Sequence, residues 1–162
     1  MSRDTLRVLE IYLDDHWAGA AAGLALARRL RSHNRDTEWN PRLSECVAEI
    51  EEDSRTLAQI RRDLGFEGGG LKRLAALAGE RVSSLKPNGR IFTYSPLSRV
   101  LECEALQAGV SAKRSLWASL SEVYGSDPEM FGYDFDELVA RADRQLELLG
   151  SFHAYAAEIA FR

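Results

Sequence analysis

Four residues of this chain stand inside otherwise apolar helical stripes: His16, Asp53, Glu104 and Gln145. An ionised carboxylate among aliphatic side chains must protonate, pair or bind a cation. Two chemistries follow from that constraint. Carboxylates and histidines aimed inward from four helices are the ligand set of di-metal bundles. The same residues can instead form a hydrogen-bonded layer, His16 with Asp53 or Glu104 and Gln145 closing it, which fixes helix register at some cost in stability. Glu49 lies one turn before Asp53, so the candidate metal ligands are His16, Glu49, Asp53 and Glu104. Asp15, Glu102 and Asp143 adjoin layer residues in sequence but point off the stripes. The marker of a carboxylate di-metal site, Glu-x-x-His on two helices, is absent: Leu13, Leu30 and Gly150 stand three residues before His16, His33 and His153. No catalytic residue is assigned on this pattern.

The elements that must position these groups are four amphipathic helices. Leu6, Leu9, Leu13, His16, Ala20, Gly23, Ala27 and Leu30 repeat at three-four spacing in the first, expected over about 4–31. Leu43, Cys46, Ile50, Asp53, Leu57, Ile60 and Leu64 do so in the second, about 41–64. The third, about 96–124, carries Leu97, Leu101, Glu104, Ala108, Ala112, Leu116 and Leu120, and the fourth, about 134–161, carries Phe135, Leu138, Ala142, Gln145, Leu149, Phe152, Ala156 and Ile159. Asn40-Pro41 and Ser95-Pro96 each read as a cap followed by proline at the first helical position, and Asp134 with Glu137 as a capping box. Arg28, Arg29 and Arg31 complement the dipole at the end of the first helix.

Short links join the first pair and the last pair, which predicts two antiparallel hairpins. Between Gly65 and Ser95 the link is long enough to cross the bundle, and Leu71, Leu74, Ala78, Val82 and Leu85 predict a shorter helix over about 71–85 within it. Lys86 to Gly89 is turn chemistry and 91–94 is expected to be extended. The fold class is therefore all-α, a four-helix bundle over residues 1–162 with one long crossover. The run Gly19-Ala20-Ala21-Ala22-Gly23 lets another helix approach closely, inside the bundle or at a dimer seam.

Helix order, long crossover and mid-helix acidic residues together resemble the ferritin-like superfamily. More narrowly, "YLDDHWAGAAAGLALARRL", "EIEEDSRTLAQIRRDLG" and "SPLSRVLECEALQAGV" resemble bacterial proteins grouped with it whose metal-ligand set is degenerate. For the superfamily at large the resemblance implies a di-iron or di-manganese site serving ferroxidase, oxygenase or peroxide chemistry. On its pattern Glu104 matches a third-helix glutamate and Glu49 a second-helix one. His16 or Asp15 stands where the first helix would supply glutamate, and Gln145 stands where Glu-x-x-His would be expected.

A net charge of -4, from 21 Lys+Arg against 25 Asp+Glu, lacks the basic surplus of a nucleic-acid binder. No run is long and apolar enough for a membrane span, and no leader pattern opens the chain, so a cytoplasmic protein is expected. Cys46 and Cys103 have no metal-ligand spacing and read as buried, reduced thiols. "GFEGGGLKR" follows a helix and lacks the Gly-Lys-Ser/Thr ending of a phosphate loop. Trp117, Tyr124, Phe131 and Tyr133 read as core closure in preference to a partner surface. The preferred reading is a non-catalytic bundle, without a required cofactor, that acts through homodimerisation or a protein partner. The alternative is a divergent iron- or manganese-binding oxidoreductase or oxidant-protection protein. A third reading is a small-ligand pocket lined by His16 and the aromatics of the first and third helices.

Overall fold

The computed structural model describes residues 2–66, 94–125 and 132–162. The shorter helix expected over 71–85, the turn at 86–89 and Phe131 lie outside the described residues. Four helices form: α1 (Arg3–His33), α2 (Asn40–Asp63), α3 (Pro96–Tyr124) and α4 (Phe135–Phe161). No strand occurs among the described residues.

Local chemistry sets the ends. Ser2, Ser95 and Asp134 each accept a hydrogen bond from the backbone N–H three residues on, satisfying a donor that the first helical turn leaves free. Asn40 does not cap α2 as its sequence context predicts; it is already helical, and Trp39 precedes it without a side-chain cap. Proline at the start of α2 lacks an N–H and so removes one of the donors a cap would serve. At the far end of α2, Gly65 takes φ 75°. Its N–H bonds to Arg62 O and that of Phe66 to Arg61 O, closing the last turn with a left-handed residue that glycine adopts without a Cβ clash.

Side-chain pairs fix the directions. Arg61 meets Asp14 and Arg28 meets Glu51, so α1 and α2 are antiparallel. Tyr12 meets Ser119 and Arg29 meets Glu102, which sets α3 antiparallel to α1. His153–Glu104 and Arg114–Asp143 pair α4 antiparallel with α3, and Trp39–Phe152 with Tyr133–Asp63 run α4 antiparallel to α2. Hence α2 and α3 run the same way, and the end of one lies at the opposite end of the bundle from the start of the other. The six residues between α1 and α2 turn tightly because Asn34, fully buried, donates to Leu30 O while its own carbonyl accepts from Thr37 Oγ1.

Apolar burial is divided into two clusters. One gathers Leu30, Leu43, Ile50, Cys103, Leu106, Val110, Leu149 and Phe152; the other gathers Leu13, Leu57, Ile60, Leu116, Trp117, Leu120, Phe135 and Leu138. Between Ile50 and Leu57 on α2, and between Val110 and Leu116 on α3, the core turns polar. That boundary holds the candidate site. The buried stripe of α3 is Val100, Cys103, Leu106, Val110, Trp117 and Leu120, and not the one through Leu97, Leu101, Glu104, Ala108 and Ala112. Packing chose the bulkier row: Leu97 and Leu101 are 50% and 54% exposed, while Trp117 is fully buried.

Candidate functional site

At the boundary between the two apolar clusters, Asp53 of α2 is 1% exposed. Each of its oxygens faces a cation from a different helix. Lys113 Nζ (α3) donates to Asp53 Oδ2, and to Gln145 Oε1 at 2.5 Å. Arg141 Nη2 (α4) approaches Asp53 Oδ1 at 2.7 Å as an ion pair, with its Nη1 3.3 Å from Glu52 Oε2. Gln145 is equally buried; its Nε2 donates to Glu49 Oε2 at 3.0 Å and to Asp53 Oδ2 at 3.3 Å. Burial lowers the pKa of Lys113 more strongly than the neighbouring Asp53 raises it. The network ties α2, α3 and α4 together at one level.

The residues singled out by sequence divide. Asp53 and Gln145 are in this layer, and Glu49 is its half-buried edge. His16 is half-buried on α1, its ring edge-on to Tyr12 at 4.7 Å, and burial lowers its pKa against the opposing charge of Asp15. Among the described residues it makes no hydrogen bond to Asp53 or Glu104. Glu104 points away from the layer altogether: it is exposed and pairs with His153 Nε2 at 3.0 Å, because α3 buries the other stripe. No three His, Cys, Asp or Glu side chains among the described residues are grouped as a metal cage requires.

Lys113 and Arg141 carry the layer's positive charge, and neither is among the residues that the helical stripes alone suggest. A signal was present for Lys113, which continues the Val100–Cys103–Leu106–Val110 row toward Trp117 and Leu120. Arg141 sits one turn before Gln145 on the layer side of α4.

Two further polar clusters lie nearer the ends of the bundle. Asp14 and Arg61, 6% and 7% exposed, form a buried pair: Arg61 Nε and Nη2 reach Asp14 Oδ1 at 2.9 and 2.5 Å. The same guanidinium covers the Trp17 ring at 4.3 Å and donates to Phe66 O, binding the exit of α2 to α1. At the opposite end, Glu102 is buried beside Arg29, His33, Tyr94 and Asn34. Burial, then the charge of Glu102, pushes the Tyr94 hydroxyl up to about 12.

Cys46 and Cys103 are buried free thiols in one apolar cluster, each pushed up to about 12 by burial. An apolar groove of about 540 Å³ opens between the start of α1 and the end of α3, lined by Val8, Leu9, Tyr12, Leu120, Val123 and Tyr124 among others. His16 does not line it. No helix among the described residues is long and apolar enough to cross a membrane.

No family model matches this chain, and no curated protein or solved structure matches it.

Proposed function

We propose that this chain is a ferritin-like bundle that works as a non-catalytic interaction module, its polar layer an internal lock and its α1–α3 face the seat of a second copy. One observation carries the reading of the layer: both oxygens of Asp53 are held by the protein's own cations, Lys113 and Arg141. A metal ion there would have to displace an ammonium and a guanidinium before it met a carboxylate oxygen. The convergence of Glu49, Gln145 and Asp53 keeps a divergent iron or manganese site as the second reading, and it is the weaker one because that convergence is already neutralised.

The α1–α3 face supports association. Val8, Ile11, Gly19 and Ala22 of α1 are exposed at helical spacing, as are Leu101, Ala105, Ala108, Ala112 and Val123 of α3, with Asp15 and Glu104 the charges that interrupt these rows. By contrast, the exposed row of α2 reads Arg42, Glu45, Glu52, Arg55, Gln59 and Arg62. A Cβ at Gly19, Gly23 or Gly109 would meet nothing within 4 Å, so the face is open to close approach. From Val8 to Ala22 the row runs about 20 Å, and two adjacent helices offer roughly 500 Å² per chain. Doubled, that reaches the roughly 1,000 Å² at which a specific pairing begins.

Sedimentation equilibrium across a range of concentrations tests this. A dimer is expected for the wild-type chain and a monomer of unchanged helicity for Ala22→Glu with Ala108→Glu. A wild-type monomer at all concentrations, or a dimer indifferent to both glutamates, would overturn the association.

A further inference from the structure

The α1–α3 face carries a groove at one end and two projecting leucines at the other. The groove, about 540 Å³, lies between Val8, Leu9 and Tyr12 of α1 and Leu120, Val123 and Tyr124 of α3. Leu97 and Leu101, 50% and 54% exposed, stand at the far end of α3. Leu101 precedes Ser119, which also lines the groove, by eighteen residues, about five full helical turns, so both stand on one line along α3. Knob and groove therefore face the same way. Between them the surface is made of small residues: Gly19 and Ala22 on α1 and Ala105, Ala108 and Ala112 on α3 are exposed, and a Cβ at Gly19 would meet nothing within 4 Å.

The levels of the two helices fix a centre. Tyr12 meets Ser119 and Arg29 meets Glu102, so each residue gained along α1 is one lost along α3, and Gly19 stands level with Ala112. Leu101 lies eleven residues before Ala112 and Val123 eleven after it, each about 16 Å from that level. A two-fold axis across the helices at Gly19 and Ala112 brings Leu101 of one copy level with the partner's Val123, over the groove, and does so twice. A surface that is complementary to itself in this way is what a two-fold pairing requires. An axis along the helices would instead set groove against groove at one end and Leu101 against the level of Arg29 at the other, leaving the groove unfilled and the leucines beside charge.

We infer that two copies of this chain pair antiparallel across their α1–α3 faces, with the two-fold axis at Gly19 and Ala112 and with Leu97 and Leu101 of each copy seated in the groove of the other. The docking rests on the association proposed for this face and gives it an orientation. Small residues at the centre let the facing helices approach closely, which carries the leucines into the groove. Asp15 lies four residues before Gly19, so the two Asp15 carboxylates stand about 12 Å apart along the helices, more than a Debye length at physiological salt.

Added-cysteine variants of the full chain, treated with a short bismaleimide, test the orientation, because Cys46 and Cys103 are buried and do not compete. Ala112→Cys is expected to link to itself. Leu101→Cys and Val123→Cys are expected to link when mixed and neither to itself, since like positions lie about 33 Å apart along the helices. Sedimentation equilibrium on the same samples separates orientation from association. Leu101→Ala should weaken the dimer at least about tenfold, because each dimer loses two buried leucines. Ile159→Ala, which trims a side chain 43% exposed on α4, should leave it unchanged. A dimer in which the mixed variants fail to link, in which Leu101→Cys links to itself, or which Leu101→Ala leaves unchanged would overturn the docking while the association stands. A chain monomeric at all concentrations would overturn both.

Discussion

Replacing Asp53 by alanine tests the polar layer through its stability. The substitution removes a carboxylate that is 1% exposed and leaves Lys113 and Arg141, with side chains 16% and 14% exposed, facing each other without their shared counter-charge. Truncating one partner of a buried pair costs about 3–5 kcal/mol, mostly from the charge left behind. Glu52 still reaches Arg141 at 3.3 Å and Glu49 still holds Gln145, which places the loss near the lower end, about 3 kcal/mol. For a chain of this length that lowers Tm by roughly 6–12 °C. Urea denaturation with a chelator present reads the loss, with the slope unchanged. The combination Asp53→Leu, Lys113→Met and Arg141→Leu removes all three charges and should recover most of the loss or exceed wild type, since well-packed apolar residues often equal a buried ion network. A loss below about 1 kcal/mol for Asp53→Ala would refute the reasoning. So would a loss seen only with added iron or manganese, because the metal would then be the partner that Asp53 lacks.

Other positions give sharper contrasts. Glu104→Gln should change stability by less than about 1 kcal/mol in the same assay, as an exposed pair with His153 contributes little. Arg61→Met should cost about 3 kcal/mol by leaving Asp14 buried and unpaired, and Asp14→Leu added to it should restore most of that. His16 is held below its ordinary 6.5 by burial, so the unfolded chain binds its proton more readily. Its contribution to stability is complete above pH 6.5 and is lost as pH falls through the folded value; His16→Gln should flatten that part of the pH–stability curve. Cys46 and Cys103, both pushed up to about 12, should resist a thiol-specific disulfide reagent at pH 8 until the chain is unfolded by denaturant.

Helix existence and the two hairpins were legible because periodicity and caps are local. Ser95, Asp134 and Gly65 act through bonds three to five residues away, within reach of sequence reasoning. On α2 and α4 a single apolar row is present, so Asp53 and Gln145 could be placed in the core from spacing alone. On α3 two rows compete. The row through Leu97 and Leu101 is apolar at every position but Glu104, yet the row through Val100, Cys103, Leu106 and Trp117 fills more volume against α4. That choice depends on the partner helix, and it moved Glu104 to the surface and Lys113 inward. The pair Asp14–Arg61 spans 47 positions and left no local mark. Nor did the cluster at Glu102, whose members come from the end of one helix and the start of another.

Native mass spectrometry of the untagged chain tests the central claim most directly because it reads subunit number and bound mass together. A dimer with no metal on either chain is predicted. A monomer carrying iron or manganese would contradict both the lock reading of the Asp53 layer and the pairing through α1 and α3.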